Sequence, residues 1–168
     1  KTVTDALVIA NNAAVKITGT ISATNAGLIA TATAGVVPAN ITADSAAALK
    51  AALTGANLDD ALTLTILKGT ATAADLNDLN ALTSVAVNAS AITEITALAA
   101  DVAQVTDLYA ANAAKTVSGL GNEAIKIAGT ISATDANTIA KLTTGVVTAS
   151  VTGVNAATAA NLVAALTD

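Results

Sequence analysis

Val15–Thr42 reads VKITGTISATNAGLIATATAGVVPANIT, and Ile125–Thr152 reads IKIAGTISATDANTIAKLTTGVVTASVT. The two stretches align without a gap at an offset of 110 residues, and GTISAT recurs intact at Gly19–Thr24 and Gly129–Thr134. Self-similarity at a fixed period is the signature of a repeat architecture. With small gaps the match extends outward: Lys1-Thr2-Val3 resembles Lys115-Thr116-Val117, and Ala51-Ala52-Leu53-Thr54 resembles Ala164-Ala165-Leu166-Thr167. The 168-residue chain therefore reads as one repeat array. Residues 1–114 form a first long repeat and residues 115–168 a partial second. Because the second copy stops midway, the chain is expected to be a piece of a longer array.

A finer period lies inside the long one. Runs of β character fall at Val15–Ile21, Val36–Thr42, Leu62–Ile66, Val85–Ala89, Ile125–Ile131 and Val146–Thr152, with a weaker candidate at Val102–Tyr109. Their spacing of roughly 22 residues divides the long repeat into five steps. Each run alternates. Leu62, Leu64 and Ile66 share one face against Thr63 and Thr65; Ile125, Ile127 and Ile131 oppose Lys126 and Thr130. Period-two alternation of β-branched residues predicts strands buried on one face. The stretch 91–121 reads either as one long helix or as helix, strand and helix.

Between these runs stand Ala-rich segments that open on helix N-cap residues: Thr4-Asp5, Ser22 or Thr24, Asp44 or Ser45, Thr72, and Ser132 or Thr134. The spacing of Leu49 and Leu53, of Leu76, Leu79 and Leu82, and of Leu162 and Leu166 supports helix. Gly35 and Gly145 are placed as C-cap glycines. The expected fold is α/β: a repeat solenoid of about seven strand-helix coils, each of about 22 residues. A parallel sheet would form one side and short helices the other. A compact doubly wound α/β domain is the alternative. Pro38 fits poorly inside a strand, because proline cannot donate to a sheet ladder.

Composition narrows function. Alanine and threonine dominate, Tyr109 is the single aromatic residue, and Phe, Trp, Met, Cys, His and Arg are absent. No His or Cys is present to serve as base, nucleophile or soft metal ligand. No enzyme is expected. Seven Lys against twelve Asp and Glu leave a net charge of −5, and an acidic chain without Arg is a poor partner for nucleic acid. The longest uncharged stretches, Ile17–Ala43 and Leu142–Thr167, are studded with Thr, Asn, Ser and Gly. Neither carries the roughly 18 consecutive apolar residues of a spanning helix. The absence of Cys fits an exported bacterial protein.

Four constellations can carry chemistry. Asp5, Asp44, Asp59, Asp60, Asp75, Asp78, Asp107 and Asp135 lie mostly near expected helix starts, where carboxylates complement the helix dipole. Calcium would be placed at Asp59-Asp60 or Asp75-Asp78, although the glycine-rich calcium repeat is missing; no cofactor is expected. The same acidic pairs are the only candidates for paired hydrolytic carboxylates, and no aromatic residue accompanies them to stack a sugar. Asn40-Ile41-Thr42 and Asn88-Ala89-Ser90 match the glycosylation acceptor pattern. The polar strand face supplies a candidate contact surface of Thr18, Thr20, Thr63, Thr65, Thr130 and Thr148. Stacked strands would set these in rows about 4.8 Å apart, facing another copy, a glycan or ice. Thr spacing of two residues is clean only at Thr18/Thr20 and Thr63/Thr65.

The phrases GTISAT, SATDANTIAKLT, TAADLNDLNALTSVAVNAS and ITALAADVAQV resemble Ala/Thr-rich repeat segments of very large exported proteins of marine cyanobacteria and related bacteria. The resemblance covers nearly the whole chain and implies an extracellular or cell-surface component. It brings no catalytic residues with it. The expected function is a structural segment of a surface fibre, layer or adhesin, associating with itself end to end or through its sheet face. A surface-, glycan- or ice-binding module is the alternative. Neither end of the sequence reads as a polar cap, and uncapped solenoid ends invite the next copy.

Overall fold

The computed structural model describes residues 15–152. Over these it is α/β, with parallel sheets and five α-helices. The order is β1 (Thr20–Ile21), α1 (Ala23–Ala32), β2 (Pro38–Ile41), α2 (Ala46–Ala52), β3 (Ala61–Thr63), β4 (Gly69–Thr72), α3 (Ala73–Asn80), β5 (Val87–Asn88), β6 (Ile92–Leu98). A 3-10 turn at Ala99–Asp101 then leads into α4 (Val102–Ala113), β7 (Val117–Ser118), β8 (Ala124–Ile131), α5 (Ala133–Ala140) and β9 (Val147–Val151). One sheet runs β1-β2-β3, a second β4-β6-β8-β9, and a third pairs β5 with β7. Every pairing is parallel. An isolated bridge from Asp44 to Ile66 continues the β2–β3 side of the first sheet, and one from Thr65 to Asn88 links it to the third.

The 110-residue offset is visible in the hydrogen bonds. Thr20 and Ile21 lie beside Asn40 and Ile41; Thr130 and Ile131 lie beside Ser150 and Val151. The Thr42 N–H and hydroxyl both donate to the Ile21 carbonyl, and Thr152 does the same to Ile131. Ser22 and Ser132 cap α1 and α5 by accepting the N–H groups of Asn25 and Asp135. Gly19 and Gly129 both take positive φ, 86° and 100°, just before the shared Thr-Ile pair, Gly19 in a bend and Gly129 at the register irregularity of β8. An L side chain is disfavoured there, which accounts for glycine in both copies.

Alternation builds the core. Leu62, Leu64 and Ile66 are buried while Thr63 is exposed; Ile125 and Ile127 are buried while Lys126 is exposed. The helices add Leu49, Leu76, Leu79, Leu108 and Ile139. Each helix packs against the next, from α1 to α5. Small residues permit this: a side chain at Gly27 of α1 would run into the backbone carbonyl of Ala52 in α2. Pro38 is the first residue of its strand, a position where its missing N–H is tolerated.

Three expectations are corrected. Val102–Tyr109 is not a strand but the body of α4, with Val105, Leu108 and Tyr109 buried at helical spacing. Stretch 91–121 is accordingly strand, helix and strand rather than either expected order. One long step carries Ile95 to Ile125, thirty residues on, where two short coils were expected. The residues that end α1 and α5 are Thr33 and Lys141, and Gly35 and Gly145 follow in the turn. Of the alternative caps, the chain uses Ser22, Ser45, Thr72 and Ser132. Thr4-Asp5, Leu162 and Leu166 lie outside the described residues, as do Lys1–Val3 and Ala164–Thr167.

Candidate contact surface

Strand register decides which threonines meet. Thr20, Asn40 and Thr63 form one exposed row across β1, β2 and β3. Thr65 is half-buried and lies beside Asn88, which pairs with Ser118. Thr148 belongs to the other sheet, in a row that runs Thr72, Thr96, Lys126, Thr148. Thr130 lies beside Ser150, and Thr18 is exposed in the segment before β1. Thr20 and Thr63 thus belong to one sheet and Thr130 and Thr148 to another, Thr18 and Thr65 lie outside the named strands, and Asn40 and Lys126 interrupt the threonine rows.

A groove of about 420 Å³ opens beside that Lys126 row. Leu98, Ala97 and Ala128 give it an apolar floor, and Glu94, Lys126 and Asp101 stand around it. Leu98 is 58% exposed. The groove is not legible in the sequence, because β6 places Ile92 and Ile95 three apart and so breaks strict alternation. The exposed Leu at the end of ITEITAL was the available signal.

The acidic residues divide into three roles. Asp75 and Asp135 lie in the first turns of α3 and α5, as expected. Asp44 accepts the N–H of Ser45 at the start of α2. Asp78 lies further along α3 and Asp107 within α4, beyond the first turn.

Asp60 is instead buried in a turn, not solvated at a helix start. Its carboxylate accepts the N–H groups of Val37 and Asn57, at 2.9 and 3.0 Å. Glu123 is buried likewise, accepting from Gly121 N and Asn122 N and from the Tyr109 hydroxyl. Buried carboxylates must be hydrogen-bonded, and backbone amides satisfy both. These groups hold loops in place.

Asp75 and Asp78 share a cation from the chain itself. Lys50 Nζ on α2 lies 2.9 Å from Asp75 and 2.6 Å from Asp78 on α3. The hydrogen bond to Asp78, and then that to Asp75, hold Lys50 above the ordinary lysine range. Burial pushes the Asp75 carboxyl up, but the Lys50 ammonium and the Thr72 hydroxyl outweigh it, and the pKa falls below 3.8. This depressed carboxyl contributes stability above the ordinary carboxylate range. The contribution is lost as pH falls through the folded-state value. Replacing Lys50 with Met should raise the Asp75 pKa, read from its carboxyl carbon in an NMR titration. Only a small change in unfolding midpoint is expected, because solvent screens the pair. An unmoved Asp75 titration would mean that the ion pair does not set its acidity.

Among the described residues, no three acidic, His or Cys side chains converge to hold a metal, and no helix is long and apolar enough to cross a membrane. Comparison with protein-family models, curated proteins and solved structures returned no match.

Proposed function

We propose that this chain is a non-enzymatic structural repeat segment of an extracellular or cell-surface fibre, layer or adhesin. The architecture proposed for it is an α/β solenoid whose long repeat spans about 110 residues. One observation carries the reading: the same strand register, positive-φ glycine, helix cap and threonine bonds recur at that offset. A unit that repeats its own backbone pairing stacks indefinitely, and non-closing head-to-tail contacts give filaments. The resemblance of GTISAT and its neighbours to repeats of large exported proteins supports the surface location.

Electron microscopy of the native material, with and without a calcium chelator, tests the proposal. Regular filaments or sheets are expected in both conditions, since Asp75 and Asp78 already hold Lys50 and Asp60 holds backbone amides. Dispersed particles in both would overturn the assembly reading. Filaments only with calcium would assign assembly to a metal-dependent contact instead.

A further inference from the structure

The groove beside the Lys126 row is carried by β4, β6 and β8, and the turn into α4 adds Asp101. At about 420 Å³ it falls within the size of small-ligand pockets, about 300–1,000 Å³, which join an apolar lining to a few polar groups. Two features set it apart from the threonine rows. The first is an apolar pair: Leu98 and Ala128 are both exposed, and register sets them side by side. The exposed row of the first sheet offers only Thr20, Asn40 and Thr63. The second is charge. Among the described residues, the side chains of Glu94, Asp101 and Lys126 make no hydrogen bond or ion pair, and both ion pairs belong to Lys50. Asp101 stands at the N-cap of α4 yet accepts no capping bond. Two acids and one base thus line a single apolar floor without pairing with one another.

We propose that this groove binds a free amino acid with an aliphatic side chain, as the zwitterion. Charge decides the class. A ligand with a carboxylate alone would meet Lys126 but also two acids. One with an ammonium alone would meet the acids but also Lys126. A molecule that carries both groups on one carbon answers each sign, and its side chain covers Leu98 and Ala128. Register supports that placement. Lys126 lies beside Thr96 and Ala128 beside Leu98, so the cation rises about 7 Å, two strand residues, from the apolar pair. Glu94 lies two residues before Thr96 on β6, and Asp101 three residues beyond Leu98. An acid therefore stands towards either end of the groove. Tyr109 is buried against Glu123, so no ring is offered on which a sugar or a base could stack. The site lies on the face of the sheet and does not depend on how copies of the chain associate.

Titration of the full chain with leucine, followed by amide NMR, tests the proposal. The signals of Thr96, Ala97, Leu98 and Ala128 should move together, with a Kd on the order of 1 mM, since exposed charges attract weakly. Three analogues each remove one part of the ligand: isocaproate lacks the ammonium, isopentylamine the carboxylate and glycine the side chain. Each should bind about tenfold more weakly than leucine. Lys126→Met and Leu98→Ser change exposed positions, and each should weaken leucine binding about tenfold with the circular dichroism unchanged. Should one variant fail to fold, the other and the analogue series still decide. No movement of these signals by about 10 mM leucine would overturn the site. Movement centred on other residues would do the same. Isocaproate binding as tightly as leucine would make the groove a seat for anionic amphiphiles, and isopentylamine doing so a seat for amines; either result overturns the zwitterion.

Discussion

Replacing Glu123 with Ala should lower folding stability by roughly 3–5 kcal/mol, read as a shift of the urea or thermal midpoint. The carboxylate is 3% exposed and receives three donors: Gly121 N, Asn122 N and the Tyr109 hydroxyl. Two of these are backbone amides of the loop between β7 and β8, and the third comes from α4. Alanine leaves all three donors without their acceptor: the Tyr109 hydroxyl is buried and the two loop amides are part-buried. Each orphaned group costs about 1–3 kcal/mol, and bonds to a charged acceptor are the stronger kind. The loop cannot easily turn to other partners, because the Gly121 carbonyl already accepts from the Thr144 N–H and the Glu123 carbonyl from the Thr143 hydroxyl. Two controls apportion the effect. Glu123→Gln keeps one acceptor oxygen and should lose less than half as much. Tyr109→Phe removes one donor and leaves the loop bonds, so about 1–1.5 kcal/mol is expected. A Glu123→Ala protein within about 1 kcal/mol of the parent would mean that the loop finds water or other acceptors without cost.

How much of this was legible in the sequence differs from residue to residue. The bonds shared by Val15–Thr42 and Ile125–Thr152 were, because stretches that make the same bonds keep the same letters: Gly19 and Gly129, Ser22 and Ser132, Thr42 and Thr152. The alternating runs around Leu62 and Ile125 were, because a strand buried on one face must alternate. Val102–Tyr109 misled because its valines carry β character, while its apolar residues sit at helical intervals. Asp60 could not be told from a solvated acid. What buries it is the approach of Val37, twenty-three residues away, and no local pattern encodes that distance. The neighbours of the candidate threonines were hidden for a related reason. Alternation can assign a threonine to a face of its own strand, but register chooses its neighbours and sets Lys126 beside Thr148.

Threonine shows the same limit most sharply, and it yields the second large effect. The composition suggests a solvated threonine face, yet Thr33, Thr83 and Thr143 are buried just after α1, α3 and α5. In each, the hydroxyl accepts the N–H two residues on: Gly35, Val85 and Gly145. Thr83 does more. It also accepts from Leu62 N at 2.9 Å and donates to Leu62 O at 2.8 Å, so that one side chain pairs with β3 as a neighbouring strand would. Thr83→Val keeps the shape and removes the hydroxyl. It orphans one buried donor, one part-buried donor and a buried acceptor, and should cost about 2–4 kcal/mol. Thr83→Ser keeps the hydroxyl and loses a buried methyl, so about 1 kcal/mol is expected. Thr143→Val should fall between them, since Thr143 donates only to Glu123 O and accepts only Gly145 N among its assigned bonds. Thr63→Val on the exposed row should be close to neutral. If Thr83→Val and Thr63→Val were equally mild, the buried hydroxyls would be incidental to the repeat. The ordering Thr83, Thr143, Thr63 instead makes the hydroxyls after α3 and α5 clamps that fix each turn to the backbone at Leu62 and Glu123.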